Sequence, residues 1–377
     1  MRTVDAAGLK IGDEYPPRIM GVLNVSKESP YDPSVFDDPG VAAEYVDEQL
    51  IDEGADIVDV GLESANKRFG VLSAEEELQR LETAIETLES TSGDAVWSIE
   101  TRYHEVAAAA LEGGFEMVND ICGFADPEMP NVCAEYDVAV SKMASPPDLE
   151  RPGAIEDVDD IYEALARNGF TEKTIVDPAF GGWSEAKTTD DDRETFDRLR
   201  EFRGYGRPIL VSINRKNFLR EIAGRDTEEA LSVSLAATSM AVERGAHIVR
   251  THDVAETRDA ALVGHEFTRN RSRTDEFEEL DVTTDREFAR HLDRISSEED
   301  DPAVTTHVVE VQAAETNVSQ LVDAAETAGL DAYRGERVIL VGTVRAFESL
   351  SRSLRPGLSG AADAIAGLCE GLEASDA

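Results

Sequence analysis

The 377-residue chain carries 79 acidic against 36 basic side chains, a formal charge of −43, with 41% hydrophobic and 6% aromatic residues. Such an excess of carboxylates repels phosphate backbones and anionic bilayers, which excludes an ordinary nucleic-acid or membrane-surface binder. The hydrophobic content excludes an acidic disordered chain, and a carboxylate-rich chain with only seven lysines suits a halophilic, salt-rich cytoplasm where counter-ions screen self-repulsion.

No apolar stretch reaches the roughly 18 residues of a membrane span, and Met1-Arg2-Thr3 leads into no signal-peptide core. A cytoplasmic protein is expected. Cys122, Cys133 and Cys369 lack metal-ligand spacing and read as reduced, structural thiols.

From Arg18 to Phe267 one unit recurs: a short β-branched run, a polar or glycine-rich break, then an amphipathic stretch. The runs are 19–25, 57–60, 96–99, 117–121, 138–143, 174–176, 209–213 and 247–249, with helical stretches at 42–53, 74–91, 105–113, 155–168, 194–202 and 228–245. Eight strand-then-helix units predict parallel strands closing into a (β/α)8 TIM barrel over residues 1–267. A doubly wound open sheet is the competing architecture, but no GxGxxG follows the first run and no GxxxxGK[ST] occurs.

Residues 268–302 are highly charged and read as a solvated linker, with a helix at 285–295. Beyond them, 303–377 read as a small C-terminal α/β domain of unknown role, with strands at 304–311 and 337–341 and helices at 317–329 and 361–372.

Barrel chemistry sits at the carboxyl ends of the strands. Those ends carry Asn24, Asp59 with Glu63, Glu100, Asn119 with Asp120, Lys142, Asp177, Asn214 with Lys216, and Arg250 with His252. Any one could be polar simply because it meets solvent, and Asp177 or Asn119-Asp120 could cap the next turn. As a set they combine amides, carboxylates and cations able to converge on one ligand. Arg250 and His252 lie two apart on a strand and therefore face the same way. With Lys216 they predict a cationic rim suited to phosphate or diphosphate. Pairing of Arg250 with Asp253 or another carboxylate is the bland alternative. Buried Asp177 and Glu100 need donor-rich partners, which the adjacent N–H groups of an aminopyrimidine would supply, while Asn119 offers both a donor and an acceptor.

The segments IMGVLNVSKES, EGADIVDVGLES, MVNDICGF, TIVDPAFG, INRK and VRTHDV, in this order, resemble the motifs of dihydropteroate synthases, the pterin-binding barrels of folate biosynthesis, from about Arg18 to Glu266. The resemblance implies a transferase that joins p-aminobenzoate to a dihydropterin-CH2-diphosphate, releasing dihydropteroate and diphosphate. It implies that Glu100, Asn119, Asp177 and Lys216 hold the pterin. It also implies that Arg250 stacks on the pterin and, with His252 and Asn24, holds the diphosphate, Asn24 lying beside a Mg²⁺ ion. The implied partners are these small molecules, and a homodimer is compatible with them. Where the family has Thr-Arg-Pro-Gly, this chain reads Ala65-Asn66-Lys67-Arg68, and the missing cation is expected from Lys67 or Arg68, with Arg68 offering the fork geometry that matches phosphate oxygens. Two further readings share the barrel: a methyl-pterin-dependent methyltransferase, which needs no diphosphate site, and a non-catalytic pterin-binding protein.

Overall fold

The computed structural model describes residues 1–25, 34–63, 70–148, 153–181, 186–274, 277–296, 303–311, 318–335, 337–354, 365 and 367. The chain divides into two compact units, Met1–Glu278 and Glu279–Ala377. The division falls inside the stretch read as a linker over 268–302. Its first part belongs to the first unit, where Arg271 reaches Asp13 at 3.2 Å.

The first unit opens with an antiparallel pair, β1 (Val4–Ala6) and β2 (Leu9–Ile11). Eight strands follow: β3 (Arg18–Asn24), β4 (Ile57–Gly61), β5 (Val96–Thr101), β6 (Met117–Asp120), β7 (Ala139–Met143), β8 (Thr174–Asp177), β9 (Leu210–Val211) and β10 (Ile248–Thr251). All neighbouring pairs are parallel, in the order β8-β7-β6-β5-β4-β3-β10-β9. A parallel bridge between Val176 and Ile209 joins the two ends of this sheet and closes the barrel. The eight expected runs are its eight strands.

Alternation along each strand sorts side chains into two environments. Met20, Ile57, Val96, Met117, Ala139, Ile175, Leu210 and Ile248, one from each strand, form an interior layer at the amino-terminal end of the barrel, with Val4, Ala6 and Ile11 packed onto it. The short N-terminal hairpin therefore plugs the bottom of the barrel. The intervening residues, such as Val58, Val60, Ile99, Val118 and Val140, face the helices and form the larger core. Each fully buried Val, Ile or Leu contributes about 1.5–3 kcal/mol relative to exposure.

Every barrel strand is followed by helix. The helix after β4, Ala74–Ser90, begins at a capping box between Ser73 and Glu76. The helix after β8 begins at Thr189, earlier than the expected 194, because Thr188 and Asp191 form another capping box. Two helices, Asn217–Ala223 and Leu231–Glu243, follow β9.

The second unit is a three-stranded antiparallel sheet of β11 (His307–Val311), β12 (Asp331–Arg334) and β13 (Val338–Gly342), in the order β11-β13-β12. Leu321, Leu340, Phe347 and Leu350 belong to its own apolar core. The expected helix at 285–295 is Asp285–Arg294, within this unit. Strand β12 and the helix Val344–Ser353 were not expected. The expected helix at 361–372 lies largely outside the described residues, as does Cys369, while Cys122 and Cys133 are buried free thiols. Among the described residues no helix is long and apolar enough to cross a membrane.

Candidate active site

Because the period along a strand is two, Ile57, Asp59 and Gly61 share the inner face of β4, as Val96, Ser98 and Glu100 share that of β5. Asp59 is wholly buried one layer above the hydrophobic plug. Its carboxylate accepts from Ser98 Oγ at 2.7 Å, Asn119 Nδ2 at 3.0 Å and Arg250 Nε at 2.7 Å. Arg250 also donates Nη2 to Glu100 Oε2 at 2.6 Å. One guanidinium is thus held by two carboxylates, which fixes its plane and keeps its proton through the neighbouring negative charge despite burial. Of the alternative left open by the sequence, pairing with Asp253 or another carboxylate, the Asp253 pair is not formed, but Arg250 does pair with two other carboxylates, Asp59 and Glu100. Burial raises the pKa of Glu100, and Arg250 opposes the rise.

Above this pair an open cavity is lined by Glu100, Asn119, Asp177, Phe180, Lys216 and Arg250, with Ile121, Met143 and Ala179 as apolar walls. Three of its polar groups have unused capacity. Asn119 is 3% exposed, and its Oδ1 is buried without a hydrogen-bond partner. A buried acceptor left unmade costs roughly 1–3 kcal/mol, so its persistence points to a donor supplied by a ligand. Asp177 accepts from the Ala179 N–H at 2.8 Å. Burial, opposed by Lys216 and Arg250, pushes its pKa up to about 6. Lys216 is lowered by burial, then by Arg250. Its chain lies across Gly181, where an added Cβ would come 2.8 Å from Nζ, and the φ of +107° there also favours glycine.

Asn24 ends β3 and donates Nδ2 to Ser34 Oγ at 2.9 Å. Its Oδ1 faces Gly61, where a Cβ would approach to 3.2 Å. His252 follows β10, and burial and the nearby Arg250 pull its pKa down to about 3. The rim expected to carry three cations therefore carries Arg250 and Lys216 beside an imidazole held neutral. Behind it, Arg215 grips Asp253 with Nε and Nη2, both at 2.8 Å, and Asn214 Nδ2 joins at 2.9 Å. This bidentate clamp ties the turn after β9 to the turn after β10.

The structure thus gathers Asn119, Asp177, Lys216, Arg250 and Glu100 around one cavity, with Asn24 beside Gly61 and Glu100 at the mouth. Arg68 lies outside the described residues. Other strand-end residues serve elsewhere. Asp120 accepts from the N–H groups of Cys122 at 2.8 Å and Phe124 at 2.6 Å, capping the turn. Lys142 points outward, not to the mouth. It is fully buried and donates to the carbonyls of Leu165 and Gly169 at 2.9 and 2.8 Å and to that of Arg167, closing the end of the helix Val158–Ala166. The groups missed are Asp59 as a hub and Ser98 as its support. Counting by twos from Ile57 and Val96 places Asp59 and Ser98 on the inner face of the barrel, but does not show that they meet.

Residues 20–252 match a protein family described as pterin binding enzyme. The chain is 34% identical over 250 residues to a dihydropteroate synthase of Clostridium beijerinckii, covering 64% of this chain and 91% of that one. It is 35% identical over 261 residues to a probable bifunctional folylpolyglutamate synthase/dihydropteroate synthase of Haloferax volcanii, where it spans 65% of itself but 30% of that relative. Among solved structures, a Coxiella burnetii dihydropteroate synthase in complex with pteroic acid is similar, with a TM-score of 0.59 and 27% identity, over 70% of this chain and 98% of that one. So is a Xanthomonas albilineans dihydropteroate synthase in complex with 7,8-dihydropteroate, with a TM-score of 0.55 and 30% identity, over 70% and 97%.

Proposed function

Since the chain belongs to the pterin binding enzyme family, and within it to the dihydropteroate synthases, we propose that it condenses p-aminobenzoate with a dihydropterin-CH2-diphosphate. The arylamine nitrogen attacks the methylene carbon and forms the C–N bond while the C–O bond breaks. The diphosphate leaves with the bonding electrons, and the amine gives up one proton to solvent or to the departing group. The observation that carries this reading is the cavity in which Asn119 Oδ1, Asp177 and Lys216 present an orphan acceptor, a carboxylate and an ammonium to one ligand.

Asp177 accepts two adjacent N–H groups of the aminopyrimidine ring, and the charge-assisted bonds draw its carboxyl from a pKa of about 6 into the ionised form. Asn119 Oδ1 takes a further donor, and Lys216 gives to a ring acceptor. Arg250, held flat by Asp59 and Glu100, stacks on the ring and faces the leaving group. His252 and Asn24 complete the anion side, where His252 donates as a neutral imidazole. No covalent intermediate is required: two planar substrates are aligned and the departing charge is neutralised.

Magnesium suits this arrangement. Asn24 Oδ1 is a hard oxygen ligand opening toward the side-chain-free Gly61, and Mg²⁺ takes few protein ligands, completing its shell with water and phosphate oxygens. It would neutralise charge on the diphosphate. We further place the protein in a salt-rich cytoplasm on its charge of −43. We assign it to a homodimer on the exposed apolar side chains Met240 and Val263 of the last two barrel helices. The test is diphosphate release from purified protein given each substrate alone and then both.

A further inference from the structure

The turn after β8, residues 177–181, supplies Asp177, Ala179 and Phe180 to the wall of the cavity. Within it Ala179 sits at φ +61°, a left-handed geometry that a residue with a Cβ keeps only where its surroundings enforce it. Two buried side chains that the proposed reaction does not use grip this turn. Lys187, its side chain 1% exposed, donates Nζ to the Ala179 carbonyl at 3.1 Å. Asp192, its side chain 4% exposed, accepts from the Gly181 N–H at 3.1 Å through Oδ1, and the same oxygen pairs with Lys187 Nζ at 3.2 Å. The Ala179 N–H in turn donates to Asp177 Oδ1 at 2.8 Å. The residue that Lys187 holds by its carbonyl is therefore the one that orients Asp177 by its N–H. The helix Thr189–Asp197 presents Phe196 one turn beyond Asp192, and Phe196 packs against Phe180 with ring centroids 6.2 Å apart. Asp192 also opposes the fall that burial and Arg250 impose on the pKa of Lys216, whose chain crosses Gly181. A buried ion pair is expensive to desolvate and persists where further hydrogen bonds complete its geometry. Here those bonds go to two backbone groups of one turn, the turn that lines the cavity.

We propose that Lys187 and Asp192 are positioning residues: bonded to the Ala179 carbonyl and the Gly181 N–H, they lock the turn so that Asp177 and Lys216 face one ligand at a fixed spacing. The ligand part of this inference rests on the reading of the cavity as a pterin site, whereas the brace itself does not.

The test uses the full-length protein in molar KCl. The double variant Lys187→Met/Asp192→Leu removes both buried charges at similar volume, which folds tolerate better than the loss of one partner. Asp192→Asn keeps an oxygen for the Gly181 N–H. In the double variant, hydrogen exchange of the peptide covering residues 174–181 should accelerate about tenfold or more, with other barrel peptides unchanged. The Kd of a diphosphate-free dihydropterin should rise about tenfold or more. In Asp192→Asn both readouts should stay within about threefold of the unaltered protein. Exchange that stays unchanged in this segment, or that accelerates evenly across the barrel, overturns the brace. Faster local exchange with an unchanged Kd overturns its positioning role, and an Asp192→Asn protein as impaired as the double variant overturns the hydrogen bond to Gly181 as its means. Should the double variant not fold, Lys187→Met, which frees the Ala179 carbonyl alone, is read against the same outcomes. If the unaltered protein binds no dihydropterin, the pterin reading fails, and the exchange data still decide the brace.

Discussion

Arg250 meets Asp59 at 2.7 Å beneath the mouth of the barrel, and Asp59 is wholly buried while accepting two further hydrogen bonds. The guanidinium proposed to face the leaving group is therefore oriented from below. Asp59→Asn would put an amide donor among the donors of Ser98, Asn119 and Arg250. Leaving one of them unpaired should cost about 1–3 kcal/mol of stability and weaken dihydropterin binding roughly tenfold or more. Calorimetric binding and thermal unfolding that both match the unaltered protein would refute the hub.

Asp177, proposed to face the pterin ring, gives a second prediction, with a pH signature. Asp177→Asn should lower dihydropterin affinity by roughly 10- to 100-fold, since a hydrogen bond to a charged group contributes about 1.5–3 kcal/mol. In the unaltered protein the empty-site pKa is about 6, raised by burial. The acid form carries a proton where ring donors must bind, so affinity should fall as pH drops through 6 and level off above it. Titrations from pH 5 to 8 that show no such fall would remove Asp177 from the pterin floor.

Lys142 tests the outward face. It closes the carboxyl end of a helix by bonding three backbone carbonyls. Lys142→Met should lower stability by about 1–3 kcal/mol through orphaned buried carbonyls, with kcat/KM unchanged. A fall in activity without a fall in Tm would return this lysine to the site.

The strands were legible because eight β-branched runs recur at barrel spacing, and the site residues because polar groups end them. Lys142 misled because a strand end alone does not say which face a side chain takes. Counting by twos from buried Ala139 places Ser141 inward and Lys142 outward. Asp59 was visible as a strand-end acid, but its hub role needs Ser98, Asn119 and Arg250 from three other strands, and no local pattern encodes that meeting. The N-terminal hairpin escaped notice because each of its strands has only three residues, too few to show a period. In the second unit, β12 reads Asp-Ala-Tyr-Arg and is mostly exposed, so it lacks the apolar signature of a strand.

The surface charge predicts a salt requirement. At about 1 M salt the Debye length is about 3 Å, whereas in dilute buffer like charges repel over about 30 Å. The thermal midpoint should therefore climb from dilute buffer to molar KCl, more steeply than with an equal osmolarity of sucrose. A flat midpoint across the KCl series would show that self-repulsion does not limit this fold.

The central claim is tested most directly by following diphosphate release with a dihydropterin-CH2-diphosphate and p-aminobenzoate, separately and together, in molar KCl with Mg²⁺, for the unaltered protein and for Lys216→Met. The account predicts release only when both substrates are present, in step with dihydropteroate formation, and a fall of about a hundredfold or more in kcat/KM for the variant. Tight dihydropterin binding with no diphosphate released would contradict it, leaving a barrel that holds the pterin without performing the transfer.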